Sequence, residues 1–218
     1  MTSFDDEFYR DILEGFATYG DSPFLRDVLD TLTRHQAPRI AVALNKNQMA
    51  SKLWLAQCLQ STVGSRLGEV LILGGWIGAL AAVLLHDDRF DVDRVTSVDI
   101  DPSCEKIAAS LNATHVRARK FVARTADMLA LDYLEDAKAD LVINTSCEHL
   151  SEFDRWYARI PAGQLLVMQS NDYFACDEHV NCVPDLATFK VQAPLRELLF
   201  EGERRMRRYV RFMLIGRK

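Results

Sequence analysis

Two short clusters of polar side chains carry the residue types that acid–base catalysis requires. The first cluster spans residues 144–149 and reads Asn-Thr-Ser-Cys-Glu-His, and the second spans residues 169–179. Imidazole titrates near neutral pH and a neighbouring carboxylate fixes its tautomer, so Glu148 and His149 can orient a nucleophile or take its proton. The second cluster adds another carboxylate and another imidazole. The catalytic candidates are Glu148, His149, Asp172 and His179.

The same clusters offer hydrogen-bonding groups suited to a small polar ligand. Ser146, Asn171 and Tyr173 are candidates for substrate binding, and Asn144 can meet either a cofactor or the substrate. A structural interpretation of the first cluster stays open, in which Thr145 or Ser146 caps a helix that begins near His149. The two interpretations are compatible.

A metal site is the other chemistry that the second cluster suggests. Cys176, His179 and Cys182 form a C-x-x-H-x-x-C pattern, and thiolate and imidazole are zinc ligands. This spacing matches no common zinc module, and only Cys147 or His149 could complete a tetrahedron. We therefore expect a substrate loop with incidental cysteines and no metal.

A glycine-rich break in an apolar run indicates a nucleotide-like ligand. The run Glu69 to Leu80 contains Gly74, Gly75 and Gly78, with Trp76 among the glycines, and it resumes as an apolar helix. Glycines allow a tight strand-to-helix turn and close approach of a ligand to the backbone. The sequence predicts that these four residues contact a cofactor.

The elements that must position these residues alternate between strands and helices, which predicts an α/β fold with a parallel sheet. Strands are expected at Val70–Leu73, Val95–Asp99, Lys120–Thr125, Asp140–Asn144 and Gln164–Gln169. Helices are expected at Ile77–Leu85, Ser103–Leu111, near 130–137 and at Glu152–Arg159. Two final strands, Leu195–Glu201 and Tyr209–Ile215, are joined by residues 202–208, too short a connection for a crossover helix, so they form an antiparallel hairpin.

Five parallel strands followed by a closing hairpin make the chain from about residue 69 onward resemble class I S-adenosylmethionine-dependent methyltransferases. The expected fold is a Rossmann-like, seven-stranded, mostly parallel sheet. Asp99 ends the second strand 21 positions beyond Gly78, the spacing at which a carboxylate accepts hydrogen bonds from ribose hydroxyls. Asp101 and Pro102 are expected mainly to start the next helix.

The resemblance implies S-adenosyl-L-methionine as the cofactor and adds further contacts to it. Asp127 stands where an acidic residue accepts a hydrogen bond from the adenine amino group, and the Met128 N–H meets a ring nitrogen. Ile100 and Asn144 also fall in the implied cofactor site. The chain departs from the family where an acidic residue usually precedes the glycines, because Ile72 occupies that place.

Trp76 is a second departure, since it replaces the central glycine of the family motif. Its ring could make a cation–π contact with a sulfonium, worth about 0.5–2 kcal/mol. It could instead pack against the N-terminal helices, and we favour packing.

The N-terminal residues 1–62 are predicted to form a helical cap, and residues 63–218 the S-adenosylmethionine-binding domain. Apolar residues recur at helical spacing from Phe4 to Leu32, with a break at Gly20–Pro23 where Asp21 or Ser22 can cap a second helix. A third helix is expected over Gln48–Ser61. Polar groups of Asn45–Trp54 could close over a small substrate, or they form a solvated face with Trp54 in the core.

Charge and composition restrict the partners. The net charge is −5, while residues 199–218 hold seven basic and two acidic side chains, which leaves about −10 for the rest. An acidic body argues against nucleic acid, and the fourth strand is not followed by the Asn/Asp-Pro-Pro-Tyr/Phe motif of DNA methyltransferases. The basic tail is interpreted as the solvated face of an edge strand.

Composition also restricts the location of the protein. No apolar run approaches the roughly 20 residues that span a bilayer. The start is acidic, and five scattered cysteines form no disulfide framework. We therefore expect a cytoplasmic protein with reduced thiols, with its oligomeric state open and a homodimer among the alternatives.

The predicted function is methyl transfer from S-adenosylmethionine to nitrogen or oxygen of a small polar molecule. Aminocarboxypropyl transfer is one alternative, because the methionine end of the predicted site is unusual. A binding module without turnover is the other, and a nicotinamide dehydrogenase ranks below both.

Overall fold

The computed structural model describes residues 6–35, 37–135 and 137–218. The predicted helical position Phe4 and the start of the cap lie outside these residues. The strands are β1 Arg66–Leu73, β2 Asp91–Asp99, β3 Phe121–Thr125, β4 Leu141–Asn144, β5 Leu165–Asn171, β6 Glu197–Arg205 and β7 Val210–Arg217. The helices are α1 Asp6–Tyr19, α2 Pro23–Arg34, α3 Ala37–Ala43, α4 Lys46–Thr62, α5 Ala79–Leu85, α6 Pro102–Leu111, α7 Ala113–Arg117, α8 Phe153–Arg159 and α9 Leu186–Gln192.

The seven strands form one sheet in the order β3-β2-β1-β4-β5-β7-β6. β1 to β5 are parallel, and β7 runs antiparallel to both β5 and β6. This confirms the predicted α/β fold with a Rossmann-like, mostly parallel sheet and a C-terminal hairpin. The strand order reverses between β1 and β4, where Leu73 pairs with Asn144. In open α/β sheets, ligands bind beyond the carboxyl ends of the strands at such a reversal.

Helix starts follow the predicted caps. The Ser22 hydroxyl accepts the Leu25 N–H at 3.3 Å, with Pro23 at the first helical position. Asp101 likewise accepts the Ser103 N–H at 2.9 Å, with Pro102 opening α6. Short polar side chains thus satisfy backbone donors that the first helical turn leaves unpaired.

Several predicted boundaries were wrong. The described residues near 130–137 form turns instead of a helix, because the Asp132 carboxylate accepts the N–H groups of Leu134 and Glu135 and competes with helical bonding. The hairpin connection is also shorter than predicted. β6 continues to Arg205, and the Met206 N–H donates to the Tyr209 carbonyl at 2.8 Å across the turn.

The core lies on both faces of the sheet. On one face, Leu55 and Leu59 of α4 are fully buried against β1, β4, β5 and β7. On the other face, Trp156 of α8 and Phe189 of α9 are fully buried, and the Trp156 indole N–H donates to the Tyr133 hydroxyl at 3.1 Å. The last helix before β1 therefore packs directly on the sheet.

Among the described residues, no helix combines the length and the apolar character needed to cross a membrane.

Candidate functional site

The glycine turn after β1 is held by tight packing against the neighbouring strands. A Cβ at Gly75 would lie 2.0 Å from the Ser97 Oγ of β2, and a Cβ at Gly74 would lie 2.7 Å from the Ser146 Oγ. Gly74 also has a φ of +59°, which disfavours other residues. Glycine at these two positions is thus required by the packing of the turn itself.

Asp99 at the end of β2 closes this turn. Its Oδ2 accepts the Trp76 N–H at 2.7 Å, and its Oδ1 accepts the Asp101 N–H at 3.0 Å. A carboxylate has about four acceptor positions, so two backbone bonds leave capacity for hydroxyl donors of a ligand. The carboxylate fixes the backbone of the turn and stays able to bind a polyol.

Trp76 packs against the N-terminal helices, in line with the favoured interpretation. Its backbone has a φ of +49°, and its side chain joins a cluster that contains Ile40 and Ala43 of α3. Nearby, an Arg39 guanidinium N–H donates to the Asp101 carboxylate at 2.5 Å. The cap is therefore docked on the glycine turn and on the end of β2.

Ile72 offers no polar group to a ligand. It is 1% exposed and packs in the core on the α4 face of the sheet.

The residues predicted to face adenine lie beyond β2 and β3. Asp127 is exposed, and its Oδ1 accepts the Leu129 N–H at 2.8 Å. The Met128 sulfur accepts a long hydrogen bond of 3.7 Å from the Asn144 amide, which links this loop to the end of β4. The Ile100 side chain is 70% exposed. The four side chains thus border the carboxyl edge of the sheet.

The loop after β4 begins against the glycine turn. Buried Asn144 accepts the Ser146 N–H at 2.9 Å, and the Ser146 hydroxyl donates to the Gly74 carbonyl at 3.3 Å. A short 3-10 turn over Cys147–His149 follows, so the predicted helix start near His149 is only one turn long. Cys147 is fully buried, and burial raises the pKa of its thiol well above the usual range.

Glu148 is the centre of a buried polar network. Its side chain is 2% exposed, and its Oε1 accepts the Asn171 amide at 2.6 Å and an Arg211 guanidinium N–H at 3.1 Å. Its other oxygen, Oε2, is buried and has no hydrogen-bond partner among the described residues. A second Arg211 N–H donates to the Thr145 carbonyl at 3.1 Å. This network joins the β4 loop to β5 and β7.

The two predicted histidines meet beside Glu148. The rings of His149 and His179 lie 4.6 Å apart between centroids, at 88° to one another. His149 is exposed and its Nδ1 lies 3.0 Å from the Glu178 carbonyl oxygen, while the Nδ1 of His179 lies 3.1 Å from the Tyr173 carbonyl oxygen. Burial lowers the pKa of His179, so neutral imidazole is favoured near pH 7.

Asp172 and Tyr173 lie at the rim of this cluster. The Asp172 Oδ1 accepts the Val210 N–H at 2.7 Å, and the Tyr173 ring stacks on Tyr209 with centroids 5.7 Å apart. The Tyr173 N–H donates to the Asn171 side chain at 2.9 Å. Both residues thus tie the loop after β5 to the hairpin.

Two cations near the site, Arg211 and Lys52, were not predicted from the sequence. The sequence predicts the basic stretch 199–218 as a solvated face, but Arg211 is 7% exposed and pairs with Glu148, whereas Arg207 and Arg208 are exposed. Lys52 of α4 donates to Gln48 at 2.9 Å, and burial together with the charge of Arg211 lowers its pKa to about 8. Arg211 directly precedes the apolar run Phe212–Ile215, which is buried on both faces of the sheet, and this position beside a buried run was a signal in the sequence.

The cysteine pattern does not converge on a ligand set. Among the described residues, the group of three that could hold a metal is Glu148, His149 and His179, whose ligand atoms lie within 4.8 Å of one another. Cys182 lies 3.7 Å from the His179 Nδ1, and Cys176 is outside the group. Burial raises the pKa of Cys182 to about 11, which favours the thiol.

No protein-family profile and no curated protein sequence matches this chain. Several solved structures are similar to it in fold. The N-methyltransferase NodS from Bradyrhizobium japonicum WM9, in complex with S-adenosylhomocysteine, has a TM-score of 0.62 and 14% identity over 89% of this chain and 97% of NodS. A mutant of MtNAS, a nicotianamine synthase, in complex with S-adenosylmethionine has a TM-score of 0.58 and 10% identity over 98% of this chain and 80% of that one.

A putative sarcosine dimethylglycine methyltransferase from Galdieria sulphuraria is similar over 72% of this chain and 65% of its own, with a TM-score of 0.56 and 18% identity. At these identities the likeness concerns the fold. The chain has the fold of class I S-adenosylmethionine-dependent methyltransferases.

Proposed function

We propose that this protein transfers the methyl group of S-adenosylmethionine to nitrogen or oxygen of a small polar molecule. The observation that carries the proposal is the contact from the Ser146 hydroxyl to the Gly74 carbonyl. It supports a site in which the Glu148 network lies directly beside the cofactor turn. Neighbours of the same fold hold S-adenosylmethionine or S-adenosylhomocysteine, which supports the cofactor.

The proposed cofactor site uses the residues that border the carboxyl edge of the sheet. Asp99 would accept the ribose hydroxyls with the lone pairs that the turn leaves free. Asp127 and the Met128 N–H would meet the adenine edge, and the exposed Ile100 would cover its ring. Asn144 would bind the amino acid end, because Ile72 has no polar atom there and the 3.7 Å contact of Asn144 is weak.

The proposed chemistry is in-line displacement at the methyl carbon. The acceptor lone pair forms the new bond while the carbon–sulfur bond breaks, and the sulfonium becomes a neutral thioether. Holding the two reactants in near-attack geometry supplies most of the acceleration. A proton leaves the acceptor to a base among Glu148, His149 and His179, and the lowered pKa of His179 supports a neutral imidazole there. Asn171 and Tyr173 would hold the acceptor.

The first test is calorimetric titration of the purified full chain with S-adenosylhomocysteine and, separately, with NADH. We expect one S-adenosylhomocysteine per chain and no NADH binding. Incubation with S-adenosylmethionine and pools of small amines, amino acids and phenols then tests turnover, with S-adenosylhomocysteine as the expected product. NADH binding in place of S-adenosylhomocysteine would overturn the proposal. Cofactor binding without turnover on any pool would favour the non-catalytic module.

A second candidate is aminocarboxypropyl transfer from the same cofactor. Two observations favour it: the match to MtNAS spans 98% of this chain, including its N-terminal helices, and Ile72 and Trp76 alter the methionine end of the site. Product analysis separates the two reactions. Methyl transfer leaves S-adenosylhomocysteine, whereas aminocarboxypropyl transfer leaves methylthioadenosine.

A further inference from the structure

We propose that Glu148, His149 and His179 form a binding site for a divalent first-row transition metal ion. One ligand atom of each lies within 4.8 Å of the others, although the three residues come from two loops about 30 positions apart. The loops follow β4 and β5, adjacent strands of the sheet. The fold thus brings two imidazoles and one carboxylate to a single point.

The hydrogen bonds of the histidines prepare both rings for a metal. The Nδ1 atoms of His149 and His179 each face a backbone carbonyl, at 3.0 and 3.1 Å. A carbonyl oxygen only accepts, so in neutral rings the proton sits on Nδ1 and the lone pair on Nε2. An outer hydrogen bond from one ring nitrogen to a carbonyl is the usual support of a metal-binding histidine.

Glu148 supplies an independent observation that points to a ligand. The residue is 1% exposed, and its Oε2 is buried with no partner among the described residues. A buried carboxylate oxygen left unpaired destabilises the fold, so native structures normally pair such atoms. The Oε1 is already saturated by Asn171 and Arg211, which hold the carboxyl group in one orientation. The free oxygen is the one available to a cation.

The chemistry of the donor set selects the class of ion. Two imidazoles and one carboxylate suit Zn²⁺, Fe²⁺, Co²⁺ or Ni²⁺, whereas Mg²⁺ and Ca²⁺ prefer oxygen ligands alone. Three protein ligands leave coordination positions open to a small molecule. Arg211 offsets part of the negative charge of Glu148 and moderates the affinity.

The position of the site gives it a use that rests on the proposed methyl transfer. Glu148 lies two residues beyond Ser146, which touches the glycine turn. An acceptor oxygen on an open coordination position would lie next to the cofactor. Coordination would lower the pKa of such an oxygen, so its proton could pass to solvent before attack, and with the metal bound the three side chains act as ligands in place of a base.

The test is calorimetric titration of the chelator-treated full chain with ZnCl2 in the absence of cofactor. We expect one Zn²⁺ per chain. His149→Ala, which changes an exposed residue, and His179→Ala should each weaken binding at least about tenfold. Glu148→Gln should do the same, with circular dichroism to verify its fold. The matched controls are His35→Ala and Cys176→Ser, which should bind as the unmodified chain does.

A Co²⁺ spectrum gives a second readout of the ligands. We expect absorption typical of nitrogen and oxygen ligands and no thiolate charge-transfer band, unchanged in Cys182→Ser. The proposal fails if the chain binds no stoichiometric metal, if the two histidine variants bind as tightly as the unmodified chain, or if the cysteine variants lose the metal. S-adenosylhomocysteine titration of the metal-free chain separates the two proposals, since Zn²⁺ binding without cofactor binding would overturn only the proposed function.

Discussion

The guanidinium of Arg211 lies 3.1 Å from the carboxylate of Glu148, and both side chains are buried, with 9% and 2% of their surface exposed. The pair connects the loop after β4 to the last strand of the chain. Its desolvated charges depend on each other, because either one left alone in the interior has no compensating partner.

Removing one partner of this pair should therefore destabilise the fold strongly. We expect Arg211→Met to lower the free energy of unfolding by about 3–5 kcal/mol, because it leaves the Glu148 carboxylate uncompensated. The double variant Arg211→Met/Glu148→Gln should recover most of this loss, since it removes both charges. Urea denaturation of the unmodified chain, the single variants Arg211→Met and Glu148→Gln and the double variant gives the coupling energy, and additive effects would contradict a coupled pair. The exposed Arg208→Met is the control.

Substitution of Asp99 should weaken cofactor binding through both of its roles. The carboxylate accepts the Trp76 N–H at 2.7 Å and is the proposed acceptor for the ribose hydroxyls. Hydrogen bonds to charged groups are worth about 1.5–3 kcal/mol, so Asp99→Ala should raise the Kd for S-adenosylhomocysteine about 10- to 100-fold.

The matched control for Asp99 is Asp140→Asn. The Asp140 carboxylate accepts the Glu69 N–H at 2.9 Å in the middle of β1, away from the glycine turn, so this variant should leave the Kd unchanged. Equal effects of the two variants in calorimetry would show that Asp99 has no specific role.

The contact between Gly75 and Ser97 predicts a rescue experiment. A Cβ at Gly75 would lie 2.0 Å from the Ser97 Oγ but 3.3 Å from the Ser97 Cβ. Gly75→Ala should cost about 1–3 kcal/mol of stability by overpacking and should weaken cofactor binding. Adding Ser97→Ala removes the clashing oxygen and should restore most of the lost stability and most of the lost cofactor affinity. Thermal unfolding and calorimetry measure the two effects, and a double variant as impaired as Gly75→Ala would refute this account.

A second histidine pair predicts the response of stability to acid. The rings of His86 and His115 lie 4.3 Å apart, and burial with the charge of His86 lowers the pKa of His115 to about 4, while burial also lowers the pKa of His86. Asp27 opposes both shifts and Lys120 adds to that of His115. The folded state therefore favours neutral rings.

The lowered pKa of His115 predicts that the folded state loses stability in acid. The unfolded chain takes up protons near pH 6.5 and the folded chain only near pH 4, so stability is complete above pH 6.5 and falls as the pH drops toward 4. His115 is half-buried, so we expect a loss of about 1 kcal/mol. Between pH 7.5 and pH 5, the urea midpoint should fall less in His115→Phe than in the unmodified chain. His35→Gln is the control. A fall in the urea midpoint of His115→Phe as large as that of the unmodified chain would contradict the prediction.

Much of the fold was predictable because its signals are local. Apolar runs of strand length, a glycine turn and short connections define five parallel strands and a hairpin, and caps such as Ser22 and Asp101 act within three residues of themselves. β6 was underestimated because its last residues are charged and solvated. The helix predicted near 130–137 does not form, because the turn chemistry of Asp132 competes with helical hydrogen bonding.

The site was predictable only in part, for a physical reason. Glu148, His149, Asn171 and His179 could be grouped because they follow adjacent strands, and the structure brings them together. The partner of Glu148 could not be inferred, since the pairing of Arg211 depends on how β7 registers against β5. Lys52 likewise depends on how α4 packs on the sheet.

The contact between Arg39 and Asp101 has a thermodynamic consequence for the cap. Asp99, Ile100 and Asp101 form one short segment that receives the proposed ribose contact at its start and the guanidinium of α3 at its end. Ligand binding at Asp99 and docking of α3 through Arg39 would involve the same segment, so their free energies would be coupled. Such coupling is reciprocal. Whatever free energy a ligand at Asp99 would gain from the docked helix α3, the docking of α3 would gain from the ligand, so ligand binding would also hold the N-terminal helices in place.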